Sequence, residues 1–279
     1  MNFIKQCKGK DISKIPASKL VENDFYYVSK KYDGNYVQIH KKGDKVKFYT
    51  SGAKEFYPID IADKLMEMEE DFILEAEYIA NTDGKLGSRG KCTLTTARTL
   101  FSKGLPYYNR GGVFKVFNLI HMDDFDSRIN RLWMLDLPKE LERVDQITVS
   151  SLSNGKEIKD KYVASGYEGA MVVSLSAEYK PGKRVNNVIK LKSRETVDLV
   201  CFGVLPGEGK YEGLIGSLQL TDTDTGITVC VGSGLSDKDR HRNPKVFLDK
   251  VVEIEYERID KTYIQPVYKG VRYDKNLEY

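Results

Sequence analysis

Runs of alternating apolar and polar residues, each closed by a Gly, Asp or Pro turn, constrain this chain more than any other feature. In Asn35 to His40, Tyr36, Val37 and Ile39 interleave with polar residues, and in Lys45 to Thr50, Val46, Phe48 and Thr50 alternate with Lys47 and Tyr49. That period of two predicts paired strands joined by a turn at Lys41-Lys42-Gly43-Asp44. Phe72 to Ala80, Val113 to Leu119, Ala170 to Ser174 and Val188 to Lys192 read as further strands, the first ending at Asn81-Thr82-Asp83-Gly84. Helical spacing is expected over Asp60 to Glu70, where Ile61, Leu65 and Met68 recur, and over Arg128 to Leu141 up to Pro138. These elements predict an α+β domain.

The texture changes after Ser193. Val197 to Leu205, Gly216 to Thr221, Ile227 to Val231 and Lys250 to Arg258 are short strands parted by Gly, Pro and Asp turns. They suit a small all-β module of the OB type. The expected organisation is residues 1–193 as one domain and 194–279 as the second. No run of about 18 apolar residues exists to span a bilayer, and no apolar leader follows Met1, so a cytoplasmic protein is expected. Cys7, Cys92, Cys201 and Cys230 form no C-x-x-C pair, and three histidines are too few for a histidine-built metal site.

Charge is uneven. The first 47 residues hold eleven Lys and no Arg against five acidic residues, in a chain whose net charge is only +3. Lys5, Lys8, Lys10 and Lys14 could hold a phosphate backbone, or could form an ordinary solvated face.

The most informative string is Lys31-Tyr32-Asp33-Gly34, set just before a strand. A lysine amine attacks electrophiles once it is freed of its proton, which burial or neighbouring positive charge promotes. Taken alone, K-x-D-G also describes a surface turn. Downstream come Leu74-Glu75-Ala76-Glu77-Tyr78, Val116-Phe117-Asn118-Leu119, Tyr167-Glu168-Gly169-Ala170-Met171-Val172, Val188-Ile189-Lys190-Leu191-Lys192 and Arg272-Tyr273-Asp274-Lys275. Side chains two apart on a strand share a face, so Lys190 and Lys192 can meet one phosphate, and Glu75 and Glu77 can lie together. Carboxylates such as Glu77 and Glu168 are hard oxygen ligands suited to magnesium, and the Phe117 ring offers a surface for a base.

In this order and spacing the set resembles the covalent nucleotidyltransferase superfamily, and within it the minimal ATP-dependent DNA ligases of phages, viruses and some bacteria. The resemblance implies a nucleotidyltransferase (adenylation) domain of antiparallel sheets and flanking helices, followed by an OB-fold domain. It implies that Lys31 attacks the α-phosphate of ATP, releases pyrophosphate and holds AMP through a phosphoramidate bond. Lys190 and Lys192 would contact that phosphate, and Glu168 and Glu77 would serve Mg2+ (or Mn2+) or the ribose. Phe117 would stack on adenine, Ser29 would meet its amino group, and Arg272 and Lys275 would orient the pyrophosphate. AMP would then pass to the 5′-phosphate of a nick in duplex DNA, for the 3′-hydroxyl to displace. A monomer with no membrane association is expected.

Some positions depart from the family pattern. Tyr36 stands where an Arg is common, Ser51-Gly52 replaces a Ser-Arg pair, and Val173 closes a motif that usually ends in Lys. Lys54 is a candidate substitute for one lost contact. Gly207 to Ser217 and Val231 to Ser236 look like the OB domain of DNA ligases, the first as a glycine-rich turn within the barrel. In Gly84 to Lys91, Arg89 and Lys91 could reach phosphate, or the segment could be a plain loop. Lacking any DNA-binding domain before Lys31, the chain would hold the duplex with its two catalytic domains, the basic leading segment included. The alternatives are an RNA ligase or capping-type enzyme, or a non-catalytic nucleic-acid-binding module.

Overall fold

The computed structural model describes residues 1–80, 84–85, 94–109 and 111–275. It divides into two compact units, Met1–Lys192 and Ser193–Tyr279.

The first unit opens with β1 (Lys8–Asp11), β2 (Tyr26–Lys30), β3 (Asn35–Lys42), β4 (Lys45–Thr50) and β5 (Glu55–Phe56). Helix α1 (Ile59–Met66), β6 (Phe72–Ala80), α2 (Thr95–Ser102), β7 (Gly112–Leu119) and α3 (Phe125–Met134) follow. The unit closes with β8 (Leu141–Arg143), β9 (Ile147–Val149), α4 (Leu152–Ala164), β10 (Gly169–Ser174) and β11 (Arg184–Lys192). One sheet runs β5-β4-β3-β6-β7-β8 and the other β1-β11-β10-β2-β9. The pairing is antiparallel except at two edges, where β1 joins β11 and β8 joins β7 in parallel.

The first sheet buries the face that the period-two pattern marks as apolar. Val37, Ile39, Phe48, Leu74, Phe114 and Val116 pack there with Ile61 and Leu65 of α1 and Ile129 and Leu132 of α3. Each fully buried side chain of this size contributes about 2 to 3 kcal/mol by leaving water. The second sheet packs Val28, Ala170, Val172 and Ile189 with Leu152 of α4.

Helix bounds differ from the pattern for identifiable reasons. The α3 helix starts at Phe125 because the Asp124 side chain caps it, accepting from the Ser127 N–H. It stops at Met134, where Leu135 turns extended, so Leu141 begins a strand instead of ending a helix. Likewise α1 ends at Met66, four residues before the expected Glu70.

The second unit contains β12 (Glu195–Pro206), β13 (Ile215–Thr221), β14 (Thr228–Val231), the one-turn helix α5 (Asp237–Arg240), β15 (Val251–Tyr256), β16 (Arg258–Ile259), β17 (Tyr263–Ile264) and β18 (Val267–Val271). Five of these strands form an antiparallel sheet in the order β14-β13-β12-β15-β18, around Leu199, Leu218, Leu220, Phe247, Val252 and Ile254. The long β12 is bent by register shifts at Cys201/Gly203 and Leu205/Pro206. Residues Gly207 to Leu214 link β12 to β13 with Gly209 and Gly213 at positive φ, and this glycine-rich stretch makes a single 3-10 turn at Gly209–Tyr211 before running into a strand, with no α-helix opening from it.

Candidate active site

The Lys31-Tyr32-Asp33-Gly34 string is the crossing from one sheet to the other, out of β2 and into β3. It is pinned on both sides. The Lys31 N–H donates to the Gly169 carbonyl at 3.0 Å, and the Asp33 N–H donates to the Gly84 carbonyl at 3.0 Å. Gly34 is required by close approach: a Cβ there would stand 2.5 Å from the Tyr78 carbonyl oxygen. The same approach lets the Gly34 N–H donate to Glu77 Oε1 at 3.1 Å.

At the start of the crossing, Lys31 Nζ lies 2.5 Å from Glu168 Oε2, and Lys192 Nζ lies 2.9 Å from Glu168 Oε1. One carboxylate thus holds two ammonium groups, each from a different strand region. Burial alone would raise the Glu168 carboxyl, but Lys31 and then Lys192 outweigh it and hold it below the ordinary range. Gly169 fixes where Glu168 points. It sits at φ +149, and a Cβ there would fall 1.9 Å from the Leu191 oxygen on the neighbouring strand. On that strand, Lys190 is depressed below the usual lysine range by burial, then by the charges of Lys31, Arg184 and Lys192. A concentration of positive charge of this kind is relieved by an anion.

Lys31 and Lys190 border a cavity of about 510 Å³ that is also lined by Ser29, Gly34, Tyr36, Glu75, Glu77, Phe117, Asn118 and Met171, among others. Phe117 reaches it through a bulge. Asn118 pairs with Glu75 and Val116 with Ala76, so Phe117 is the extra residue and turns to the cavity beside Asn118. Beneath it lies a polar network centred on Glu75, which is 2% exposed. Its Oε1 accepts from the Tyr36 hydroxyl at 2.7 Å and the Tyr179 hydroxyl at 2.9 Å, and its Oε2 accepts from Asn118 Nδ2 at 2.7 Å. Asn118 Oδ1 in turn accepts from Arg128 Nε at 3.1 Å. Burial pushes the Glu75 carboxyl up despite these donors.

The structure therefore brings Ser29, Lys31, Glu77, Phe117, Glu168, Lys190 and Lys192 into one site region of the first unit. Arg272 and Lys275 belong to the second unit, where both pair with Asp198, Arg272 Nη1 at 3.2 Å and Lys275 Nζ at 2.5 Å. Lys54 is exposed on the turn after β4 and is absent from the cavity lining, whereas Ser51 and Val173 are part of it. Arg89 and Lys91 lie outside the described residues. Of the leading lysines, Lys8 lines the cavity and Lys10 Nζ donates to Asn186 Oδ1 at 2.7 Å. Motif spacing does not mark Glu75, Asn118 or Tyr179 as site residues. Strand alternation, which sets Glu75 on the face of Glu77, is the sequence signal for Glu75.

Among the described residues no group of three or more His, Cys, Asp or Glu side chains forms a ready-made metal cage. Two carboxylates, with the Glu168 oxygens already engaged by ammonium groups, suit a magnesium ion that arrives with a nucleotide and takes most of its ligands from phosphate and water. Among the described residues no helix is long and apolar enough to cross a membrane.

Comparison with known proteins agrees with this geometry. The family model described as "ATP dependent DNA ligase domain" matches residues 6–192, and "DNA ligase OB-like domain" matches 206–272. A probable DNA ligase of Mycolicibacterium gilvum is 30% identical over 248 residues, covering 78% of this chain and 45% of the relative. A DNA ligase of Nitrosopumilus maritimus is 28% identical over 267 residues, covering 85% and 45%. The chain spans a little under half the length of these curated relatives. A solved structure from a study of DNA binding by Lig E DNA ligases with a minimal scaffold shares the fold, with a TM-score of 0.72 at 22% identity over 98% of this chain and 100% of that one. With the adenylation-domain model matching most of its length and the OB-like model most of the rest, the chain belongs to the ATP-dependent DNA ligase family.

Proposed function

We propose that this protein seals nicks in duplex DNA with ATP, through a lysyl-AMP intermediate on Lys31. The observation that carries the reading is the Glu168 clamp, which holds Lys31 and Lys192 together beside Lys190 at the cavity wall. Lys31 Nζ attacks the α-phosphorus, an N–P bond forms, and the P–O bond to pyrophosphate breaks. The Lys31 ammonium first gives one proton to Glu168 Oε2, the acceptor 2.5 Å away, which frees the amine to attack, and the second proton, shed by nitrogen as the N–P bond forms, leaves on the departing pyrophosphate. Lys190 and Lys192 neutralise charge gathering on the phosphate oxygens, where fixed cations act most strongly. Phe117 and Ser29 take the adenine, and Glu77 and Glu168 hold the nucleotide's magnesium or ribose. The residue domains are 1–193 for adenylation and 194–279 for the OB fold, and the enzyme works as a monomer in the cytoplasm. The basic leading segment adds to the duplex surface, so nick binding weakens steeply as salt rises.

Incubation with α-labelled ATP and magnesium, after pyrophosphate treatment to clear any resident AMP, is expected to leave label on the wild type that survives alkali and is released by acid or acidic hydroxylamine, as a P–N bond requires, and none on Lys31→Ala. An unlabelled wild type, or an equally labelled variant, refutes the reading. Parallel GTP and nicked-RNA arms separate it from capping and RNA-ligase chemistry.

A further inference from the structure

Gln146 carries a polar group for which the fold itself supplies no use. Its Oε1 is buried and, among the described residues, has no hydrogen-bond partner, and the side chain lines the 510 Å³ cavity. A buried amide oxygen without a partner costs on the order of 1 to 3 kcal/mol, so its retention points to a ligand donor.

The backbone places this oxygen between the two groups assigned to the base. On one side, the Val144 N–H donates to the Val116 carbonyl at 2.8 Å, which ties the segment to β7 directly beside Phe117. On the other, Ile147 pairs with Val28, so the antiparallel register continued by one residue sets Gln146 opposite Ser29. Residues 144–147 are thus a short crossing from one sheet to the other, with Gln146 between the stacking ring and Ser29. Val144 and Met171 add apolar wall to the same region.

We propose that Gln146 selects the nucleobase, its Oε1 accepting a hydrogen bond from the exocyclic amino group of adenine while the ring stacks on Phe117. This rests on the adenylation reading above. A purine with a carbonyl at that position sets oxygen against oxygen, and a purine with hydrogen there leaves Oε1 bare. Discrimination comes from the unpaired polar group, the kind of penalty that makes hydrogen-bonding sites selective.

The test compares enzyme labelling by α-labelled ATP with labelling by purine riboside triphosphate, which lacks only the amino group. The wild type is expected to favour ATP by about tenfold or more in kcat/KM, and Gln146→Leu to cut that preference by at least about fivefold, any remainder being the share of Ser29. Gln146→Met, similar in volume, gives the same reading if the leucine variant does not fold. A ratio that stays at the wild-type value in a folded variant overturns the proposal, as does a wild type that uses both nucleotides alike. A wild type labelled by neither nucleotide refutes the adenylation reading instead, so the two failures are distinguishable.

Discussion

Replacing Tyr36 by Phe deletes one oxygen from the floor of the cavity and keeps the ring that stands 6.4 Å from Phe117. The hydroxyl is the shorter of two donors to Glu75 Oε1 and accepts from Gln38 Nε2 at 3.0 Å. Gln38 keeps its second acceptor, the Ile4 carbonyl at 3.0 Å, so the loss falls mainly on the carboxylate. A hydrogen bond to a buried charged group is worth roughly 1.5 to 3 kcal/mol, and Oε1 retains Tyr179, so Tyr36→Phe should cost about 2 kcal/mol. For a unit of this size that lowers the unfolding midpoint by about 4 to 8 °C. Tyr179→Phe should cost a similar amount. The double variant leaves Oε1 buried with neither donor, so its loss should exceed the sum of the single losses by at least about 1 kcal/mol. Scanning calorimetry on the full chain near neutral pH measures all three. Single losses below about 0.5 kcal/mol, or strict additivity in the double variant, would refute the idea that Tyr36 supports the carboxylate in place of the expected arginine.

Two other outcomes follow from titrating groups. His40 is buried, with Nε2 2.6 Å from Gln38 Oε1, and burial foremost lowers its pKa from 6.5 to about 4. The unfolded chain takes up this proton first as pH falls, so the stability it confers is full above about pH 6.5 and erodes towards pH 4. Urea unfolding at neutral pH and at about pH 5 should show roughly 2 kcal/mol of loss that His40→Gln lacks. Lys190, depressed below the lysine range, loses its ammonium charge earlier than an exposed lysine as pH rises. Calorimetric titration should find ATP affinity falling by about tenfold on that alkaline limb, and Lys190→Arg should flatten it.

Much of the site is legible because strand alternation and short spacings determine it. Lys190 and Lys192 reach one carboxylate region because they are two apart on β11. Gly34 and Gly169 mark close backbone approaches that no side chain could share. What alternation cannot supply is a break in itself: the bulge at Phe117 puts two consecutive residues on one face, and no local signal announces it. Helix α4 leaves no apolar period to read, because Leu152 and Gly155 are its buried contacts and most of its other positions are polar. The strands β1, β8 and β9 are short, and their pairing depends on partners more than 100 residues away for β1 and β9. Gln146 has no motif at all, and its interest arises only from the segment that carries it between sheets.

The leading strand β1 has a consequence beyond its charge. It lies parallel to β11 with Lys10 opposite Ile189 and Asp11 opposite Lys190, and so covers the open edge of the strand that carries the two lysines proposed to meet the phosphate. An uncovered edge frays and seeks foreign partners. On the proposed roles of Lys190 and Lys192, loosening residues 8–11 would unseat the lysine pair as well, and a nucleotide gripping that pair would tighten the leading strand in return. The first few residues and the nucleotide act as two ends of one fastening.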